Sequence, residues 1–281
     1  MSDRDGVPAK IRGRQWLGRA VDAIDMRAPR RGVRVLNYHS IVEADQRDPQ
    51  QMTTPVTVLR AQLAWLASAG YRIERASVVV DALRRGMTPD AKTVVLTFDD
   101  GFVNNARLAF PLLREFRAPA TFFVVTAALS GELDRLHNPW VEAYMDWGQA
   151  QELQASGLID FGCHSATHLT LRGLPDNRLR EETEGAKQTL EDRLGRPVTL
   201  FAYPFGSYGS WDPATLAVLR RAGFQGAFTT VFGLNTPSTD PFLLKRTRVS
   251  WTDPGPEFER LLHGAYDWYA AVQRLQGLAT A

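Results

Sequence analysis

The sequence contains one cysteine, Cys163, among 281 residues. A single thiol cannot form a disulfide within the chain, and it excludes a metal site built from several thiolates. No apolar run approaches the length needed to cross a membrane. The net charge of +2 is too small to indicate nucleic acid as a partner. With 44% apolar and 23% charged residues, the composition is typical of a soluble enzyme or binding protein.

The first 31 residues differ from the rest of the chain. The opening "MSDRDGVPAK" lacks the apolar segment of a secretion signal, so a cytoplasmic location is expected. Residues 1–31 form a basic leader in which Trp16, Leu17 and Ile24 recur at helical spacing. One reading is an amphipathic helix in which residues 10–31 contact an anionic membrane. The other, favoured because the apolar face is small, is a short helix packed on the main domain.

Residues 32–281 show short apolar runs that alternate with amphipathic segments, which predicts a domain of alternating strands and helices. Strands in this arrangement form a parallel sheet, either open or closed into a barrel. About seven strands are predicted, at "VRVLNY", "TVVLTF", "ATFFVV", "LIDFGC", "TLFAYP", "QGAFTT" and "LLKRTRV".

Polar residues lie where several of these strands end. The carboxyl ends of parallel strands meet at one rim, which is where active sites form in such folds. The residues at the predicted rim are His39, Asp99, Asp100, His164, His168, Tyr203, Phe205 and Arg246. Their convergence is a stronger indication of a functional site than any one of them alone.

The His pair and the Asp pair together have the chemistry of a metal site. His164 and His168 are four residues apart and would meet on one face if "HSATH" formed a helical turn. With one carboxylate they make a two-His, one-Asp set that leaves coordination positions open. Side chains of adjacent residues leave the backbone in different directions. Asp100 is therefore expected to be a ligand, and Asp99 to remain free as a base for an attacking water.

Each of these features also has a purely structural explanation. Two His residues four apart are more often incidental, and Asp100–Gly101 could form a tight turn. Arg246 and Arg248 could be solvated strand residues, and His39 could be a buried imidazole bonded to backbone. The metal-site interpretation is preferred because the His pair and the Asp pair occur together.

The motifs "TFDDG", "HSATH" and "FAYPFG" resemble, in this order, three motifs of the polysaccharide deacetylase family, the NodB-like carbohydrate esterases. The resemblance covers about residues 33–250. It implies a distorted (β/α) barrel with the active site at the strand carboxyl ends. It also implies one divalent metal, with zinc expected first and cobalt, nickel or manganese as alternatives, and hydrolysis of an acetyl group on a sugar.

Carried over residue by residue, the resemblance implies that Asp99 is the general base, with Asp100, His164 and His168 as metal ligands. The backbone N–H of Phe205 would stabilise the oxyanion, and Tyr203 would line the pocket. Where many members have an Arg that orients the base, this chain has Ala202, so Arg246 is the candidate replacement.

A late His motif that protonates the leaving amine in many members is also missing. In a subgroup similar to poly-N-acetylglucosamine deacetylases, an early Tyr-His occurs, and His39 is predicted to be the general acid here.

The predicted function is removal of an N-acetyl group from an amino sugar in a glycan or a glycan precursor. One alternative keeps the fold and metal but changes the substrate to a non-sugar amide or imide. A second is an inactive carbohydrate-binding homologue, which the presence of the proposed base and ligands disfavours. The sequence does not specify the sugar or the oligomeric state.

Overall fold

The protein is described by a computed structural model that covers residues 9–25, 32–44, 48–133 and 143–279, without the side chains of residues 9–10, 22–25 and 278–279. Of the predicted leader, residues 1–8 and 26–31 lie outside the described residues. The strands are β1 (Arg34–Tyr38), β2 (Ser40–Val42), β3 (Thr53–Pro55), β4 (Arg72–Ile73), β5 (Thr93–Phe98), β6 (Ala120–Val124), β7 (Ile159–Cys163), β8 (Leu200–Ala202), β9 (Gly226–Phe228) and β10 (Thr247–Arg248).

Helices flank these strands. They are α1 (Ala9–Asp25), α2 (Val56–Ser68), α3 (Ala76–Arg84), α4 (Phe110–Glu115), α5 (Thr126–Leu129), α6 (Trp147–Ala155), α7 (Asp176–Arg180), α8 (Ala186–Leu194), α9 (Pro213–Arg221), α10 (Pro256–His263) and α11 (Tyr269–Ala279). Two π-helical turns, Asn105–Ala109 and Glu181–Gly185, precede α4 and α8. Both α6 and α9 begin with the capping box that their sequences encode, in which Asp146 and Asp212 accept from the backbone N–H three residues on.

Seven parallel strands form one curled sheet in the order β10-β1-β5-β6-β7-β8-β9, with β4 beside the start of β5. All seven predicted apolar runs contain one of these strands. The segment leading into β10 also bonds to the other end of the sheet, since Leu244 pairs in parallel with Phe228 of β9. The two edges therefore meet, and the fold is the predicted distorted (β/α) barrel.

Alternate residues of β5 face two different cores. Val94, Leu96 and Phe98 pack in the large core, whereas Val95 packs in a smaller one with the apolar face of α3. Because side chains alternate along a strand, this period places Asp99 on the same side as Val95. The strand thus carries Asp99 to the mouth of the barrel.

A short parallel pair, β2 and β3, is not among the predicted strands. Each strand has three residues, too few for an apolar pattern to stand out from a loop. β2 follows His39 directly, so the pair lies next to the carboxyl end of β1.

The helix α1 packs on α10 and on the segment before it. Arg19 bonds to Glu257 at 2.8 Å, and Arg14 lies 3.3 Å from Asp253. Ile11 is buried, while Trp16 is 71% exposed. Residues 9–25 of the leader thus contact the main domain, and the role of the leader as a whole remains a prediction. Among the residues that the structure describes, no helix combines the length and apolar character that crossing a bilayer requires.

Candidate active site

A pocket of about 400 Å³ lies at the carboxyl ends of the strands, and we call it the inner pocket. It brings together seven of the eight site residues predicted from the sequence, and the eighth, Arg246, lies directly behind one of them. Its lining residues are His39, Gln50, Met52, Asp99, Asp100, His164, His168, Tyr203, Phe205, Thr230 and Arg248.

Asp99 is held by a buried guanidinium. Arg246 donates from its two terminal nitrogens to the two carboxylate oxygens at 2.6 and 2.7 Å, and its side chain is fully buried. Asn37 donates to Asp99 Oδ2 at 3.2 Å. Burial alone would raise the pKa of Asp99, but the charge and hydrogen bonds of Arg246 outweigh it and lower the pKa. The explanation of Arg246 as a solvated strand residue is therefore wrong, because Arg246, directly before β10, is fully buried and also donates to the Thr229 carbonyl oxygen.

Asp100 faces the two His residues and not Arg246. Its backbone has φ of +72°, a left-handed conformation that Asp tolerates better than most residues. Its Oδ1 lies 3.4 Å from His164 Nε2 and 3.3 Å from His168 Nε2. Burial would raise the pKa of Asp100, but the hydrogen bonds of the two imidazoles keep it well below the ordinary value. The two adjacent carboxylates thus occupy separate environments.

The segment that carries the two His residues is a loop, not the helical turn that their spacing suggests. Ser165 and His168 have φ of +68° and +60°, and the Ser165 hydroxyl accepts from the His168 N–H at 2.9 Å. The buried Glu182 accepts from the backbone N–H groups of Ala166 and Thr167. The imidazole rings still come together, with centroids 5.0 Å apart.

Asp100, His164 and His168 fit a metal ion. Their ligand atoms all lie within 4.8 Å of one another. His164 Nδ1 is 2.8 Å from the Ala202 carbonyl oxygen, a bond that assigns the proton to Nδ1 and leaves Nε2 free to coordinate. Burial lowers the pKa of His164, but Asp99 and Asp100 outweigh it and raise the pKa. The site thus favours an added positive charge, which a divalent cation would supply.

His39 lies at the end of β1 and lines the same pocket. It is buried, and its Nδ1 has no hydrogen-bond partner among the described residues. The alternative, a buried imidazole that forms a hydrogen bond with the backbone, is therefore not supported at Nδ1. Burial lowers the pKa of His39 to about 4, although Asp100 and Asp99 act in the opposite direction. The free site therefore holds a neutral imidazole at neutral pH.

Tyr203 and Phe205 follow β8. Tyr203 is among the residues that line the pocket, but its ring is buried in the large core and its hydroxyl donates to the Phe242 carbonyl oxygen at 2.8 Å. Phe205 has φ of +62°, and its ring is 57% exposed and lies 4.9 Å from the His168 ring. Four non-glycine residues of the pocket region are thus left-handed, and such conformations tend to collect at functional sites.

Three lining residues, Gln50, Met52 and Thr230, were not predicted from the sequence, and no role in the site was predicted for Arg248. Gln50 and Met52 lie in an irregular segment before β3, where no periodic signal exists. Arg248 carried the one available signal, because it is two residues after Arg246 on the same strand and shares its face.

Fold and site together define a (β/α) barrel with a candidate hydrolytic centre. A polysaccharide deacetylase family model matches residues 86–227, half of the chain. YxkH of Bacillus subtilis (strain 168), provisionally named as a polysaccharide deacetylase, is 27% identical over 232 residues, which are 83% of this chain and 75% of its own length. The chain belongs to the polysaccharide deacetylase family.

Two further comparisons concern amino-sugar enzymes and related structures. Poly-beta-1,6-N-acetyl-D-glucosamine N-deacetylase of Escherichia coli (strain K12) is 30% identical over 242 residues, 75% of this chain. The match spans only 35% of that longer protein. The solved structure of IcaB from Ammonifex degensii superposes with a TM-score of 0.69 at 27% identity, covering 84% of this chain and 98% of that one.

Proposed function

We propose that the protein is a metal-dependent deacetylase that hydrolyses the N-acetyl group of an amino sugar in a glycan or glycan precursor. One observation carries the proposal: a buried carboxylate clamped by Arg246 lies next to a second carboxylate that faces two imidazoles. This is the division that metal-assisted hydrolysis requires, with one group holding the ion and another accepting a proton. Family membership and the name of the E. coli relative support the choice of an N-acetyl sugar.

Asp100, His164 and His168 would hold the ion, most plausibly zinc, since two nitrogens and one oxygen suit it. Cobalt, nickel and manganese are the alternatives to be compared. A divalent ion bound there supplies Lewis-acid polarisation of the acetyl carbonyl and a lower pKa for an attacking water. The protein's own residues supply the proton transfers and the orientation.

Asp99 would accept the proton of the water that attacks the acetyl carbonyl. The two bonds from Arg246 fix its orientation, and the lowered pKa keeps it ionised at neutral pH. The backbone N–H of Phe205 would donate to the developing oxyanion. The direction of this N–H is set by the left-handed backbone at Phe205.

His39 would protonate the amine as the C–N bond breaks. Its pKa of about 4 means that it begins the cycle neutral, so the proton that it delivers to the amine must be one that the attacking water releases during the reaction. The exposed position of the Phe205 ring and the open pocket leave room for a sugar beside it.

The test is acetate release by purified protein stripped with a chelator and reloaded with zinc, cobalt, nickel or manganese. The substrates are N-acetylglucosamine oligomers, O-acetylated sugars and a panel of small amides and imides. We expect metal-dependent release from the N-acetylated oligomers above all others. Turnover by the stripped protein would contradict the metal dependence, and preference for a small amide would contradict the substrate class.

A cytoplasmic location and membrane contact through residues 10–31 remain proposals. The exposed Trp16 and Leu17 on α1 are the observation that favours membrane contact. Replacing both with Ser should reduce flotation with anionic liposomes. Equal flotation of wild type and variant would remove the support for this contact.

A further inference from the structure

A second depression of about 510 Å³ adjoins the inner pocket, and we call it the outer cleft. The two share four lining residues, which are Gln50, Phe205, Thr230 and Arg248. The outer cleft is lined by Ile11, Arg14, Pro49, Gln50, Gln51, Phe205, Ser207, Thr230, Phe232, Arg248, Tyr269, Gln273, Gln276 and Gly277. A molecule in the inner pocket can therefore continue into the outer cleft past Arg248.

The helices at the two ends of the described chain, α1 and α11, supply six of the fourteen residues that line the outer cleft. These helices lie outside residues 86–227, which match the family model. Gln273 of α11 is fixed to the rim, because it donates to the Thr230 carbonyl oxygen at 2.8 Å and accepts from the Phe232 N–H at 3.0 Å. The cleft wall is thus a bonded part of the fold.

The charge of the outer cleft is one-sided. Its lining contains Arg14 and Arg248 and no Asp or Glu. Arg14 has a carboxylate partner, Asp253, at 3.3 Å. Arg248 is half-buried and donates only to the Gln50 carbonyl oxygen at 3.4 Å, and no carboxylate of the described residues lies within ion-pair distance of it.

The surroundings of Arg248 disfavour the charged form of its guanidinium. Burial lowers its pKa, and so does the neighbouring positive charge of Arg14. A guanidinium presents several N–H donors in a plane that matches a carboxylate or a phosphate group. An anionic group of a ligand is therefore the partner that Arg248 lacks.

We propose that the outer cleft binds the sugar next to the one that is deacetylated, and that Arg248 recognises an anionic substituent, a carboxylate or phosphate, on that sugar. The proposal rests on the proposed function, since the inner pocket must hold the N-acetylated unit. Glutamine amides and the half-buried ring of Tyr269 complete a surface suited to sugar hydroxyls and ring faces. Arg248, at the junction of the two pockets, selects the substrate, and Asp99 and the metal-site residues act on it.

The experiment uses three matched trisaccharides of N-acetylglucosamine: a neutral one, one with a carboxylate at C6 of the neighbouring sugar, and one with a phosphate there. Acetate release is measured for wild type, Arg248→Gln, Arg248→Lys and the control Arg85→Gln. Arg85 is an exposed helix-end residue that pairs with Asp81. The neutral substrate separates recognition of the anion from turnover.

In Arg248→Gln, kcat/KM for the preferred anionic substrate relative to the neutral one should fall roughly 10- to 100-fold, mainly through KM. Arg248→Lys should restore part of the preference, and Arg85→Gln should keep it. A wild type without preference for either anion, or an equal loss on all three substrates in Arg248→Gln, would overturn the proposal. The anionic substrate with the higher kcat/KM identifies the substituent as a carboxylate or a phosphate.

Binding of the same trisaccharides by calorimetry separates this proposal from the proposed function. If wild type releases no acetate from any of them, the proposed function fails. Tighter binding of an anionic trisaccharide that is lost in Arg248→Gln would still support the outer cleft as an anion-recognising site. Equal binding of the neutral and anionic compounds would refute it.

Discussion

The inner pocket and the outer cleft share four lining residues, but the charge that lacks a partner is negative in the first and positive in the second. In the inner pocket Asp99 is matched by Arg246, whereas Asp100 faces only two imidazoles. In the outer cleft Arg14 is matched by Asp253, whereas Arg248 has no carboxylate of the described residues within ion-pair distance. Each region therefore contains one internally paired charge and one that needs an outside partner. A cation suits the first region, and an anion suits the second.

The two regions also differ in how the chain builds them. Strand ends supply Asp99, Asp100, His164 and Phe205, and two of them, Asp100 and Phe205, have left-handed backbone conformations. The outer cleft comes from several separate segments, with six of its fourteen lining residues on α1 and α11. A rigid strand-end scaffold is suited to fixed catalytic geometry, and a cleft lined by several segments is suited to recognition. Variants in the inner pocket should therefore affect turnover, and variants in the outer cleft should affect substrate recognition.

The largest expected effect is in the inner pocket. His164→Ala removes a proposed ligand, so the variant should lose its bound metal, and turnover should fall by about three orders of magnitude or more. Elemental analysis and acetate release measure the two quantities. The control is His263→Ala, an exposed His on α10. Full metal occupancy in His164→Ala would exclude this ligand set.

A smaller effect is expected at His39. His39→Gln should slow hydrolysis of the N-acetyl amide by roughly 100-fold or more, because an amine leaves poorly without a proton. An acetyl ester with a good leaving group needs no such proton and should be hydrolysed nearly as fast as by wild type. Rates on paired amide and ester substrates check this. An equal loss on both substrates would assign His39 a structural role.

Arg246 should affect both rate and stability. Arg246→Met leaves a buried carboxylate without its partner and should reduce the free energy of unfolding by about 3–5 kcal/mol. Turnover should fall by about 10- to 100-fold, since a base that is poorly oriented accepts protons less efficiently. Urea unfolding and acetate release measure these changes. A loss below about 1 kcal/mol would mean that the ion pair contributes little net stability.

The same variant has a predictable pH dependence. Asp99 has a folded-state pKa below its ordinary value of 3.8. It therefore contributes stability that is present above that value and is lost as the pH falls through the folded-state pKa. Without Arg246, burial would raise the pKa, so the acidic limb of kcat/KM should move to higher pH. An acidic limb at the same pH in both proteins would show that another group controls it.

The smallest effects are expected in the α1 wall of the outer cleft. A Cβ added at Gly18 would lie 2.1 Å from the Tyr266 ring, whereas one at Gly13 meets nothing within 4 Å. Gly13→Ala should stabilise the helix by up to about 1 kcal/mol. Gly18→Ala should displace it and raise KM for long glycans, with kcat on a monosaccharide kept. Thermal unfolding and kinetics distinguish the two, and identical behaviour would mean that α1 does not shape the cleft.

Much of the fold was predictable because the strands are strongly apolar and end in chemically distinctive residues. The run "TVVLTF" coincides with β5, and the rim residues follow from parallel strands ending together. The ion pair of Asp99 with Arg246 joins residues 147 apart, so no local pattern could show it as more than a candidate. The loop form of "HSATH" depends on Ser165 and Glu182, whose roles appear only in three dimensions.

The outer cleft was beyond prediction from the sequence for a different reason. Its residues come from α1, residues 49–51, the segments at 205–207 and 230–232, Arg248 and α11, and their spacing forms no recognisable motif. Packing of α1 on α10 depends on the absence of a side chain at Gly18 and on two ion pairs, which are weak signals in a basic segment.

The central claim is that adjacent carboxylates divide the work, with Asp100 binding the ion and Asp99 accepting the proton. Metal content and acetate release of Asp99→Asn and Asp100→Asn, measured side by side, test it most directly. Asp99→Asn should retain one metal ion per chain and lose turnover by about 10²- to 10⁴-fold. Asp100→Asn should lose the metal itself. Loss of metal in Asp99→Asn, or retention of both metal and activity in Asp100→Asn, would contradict the claim.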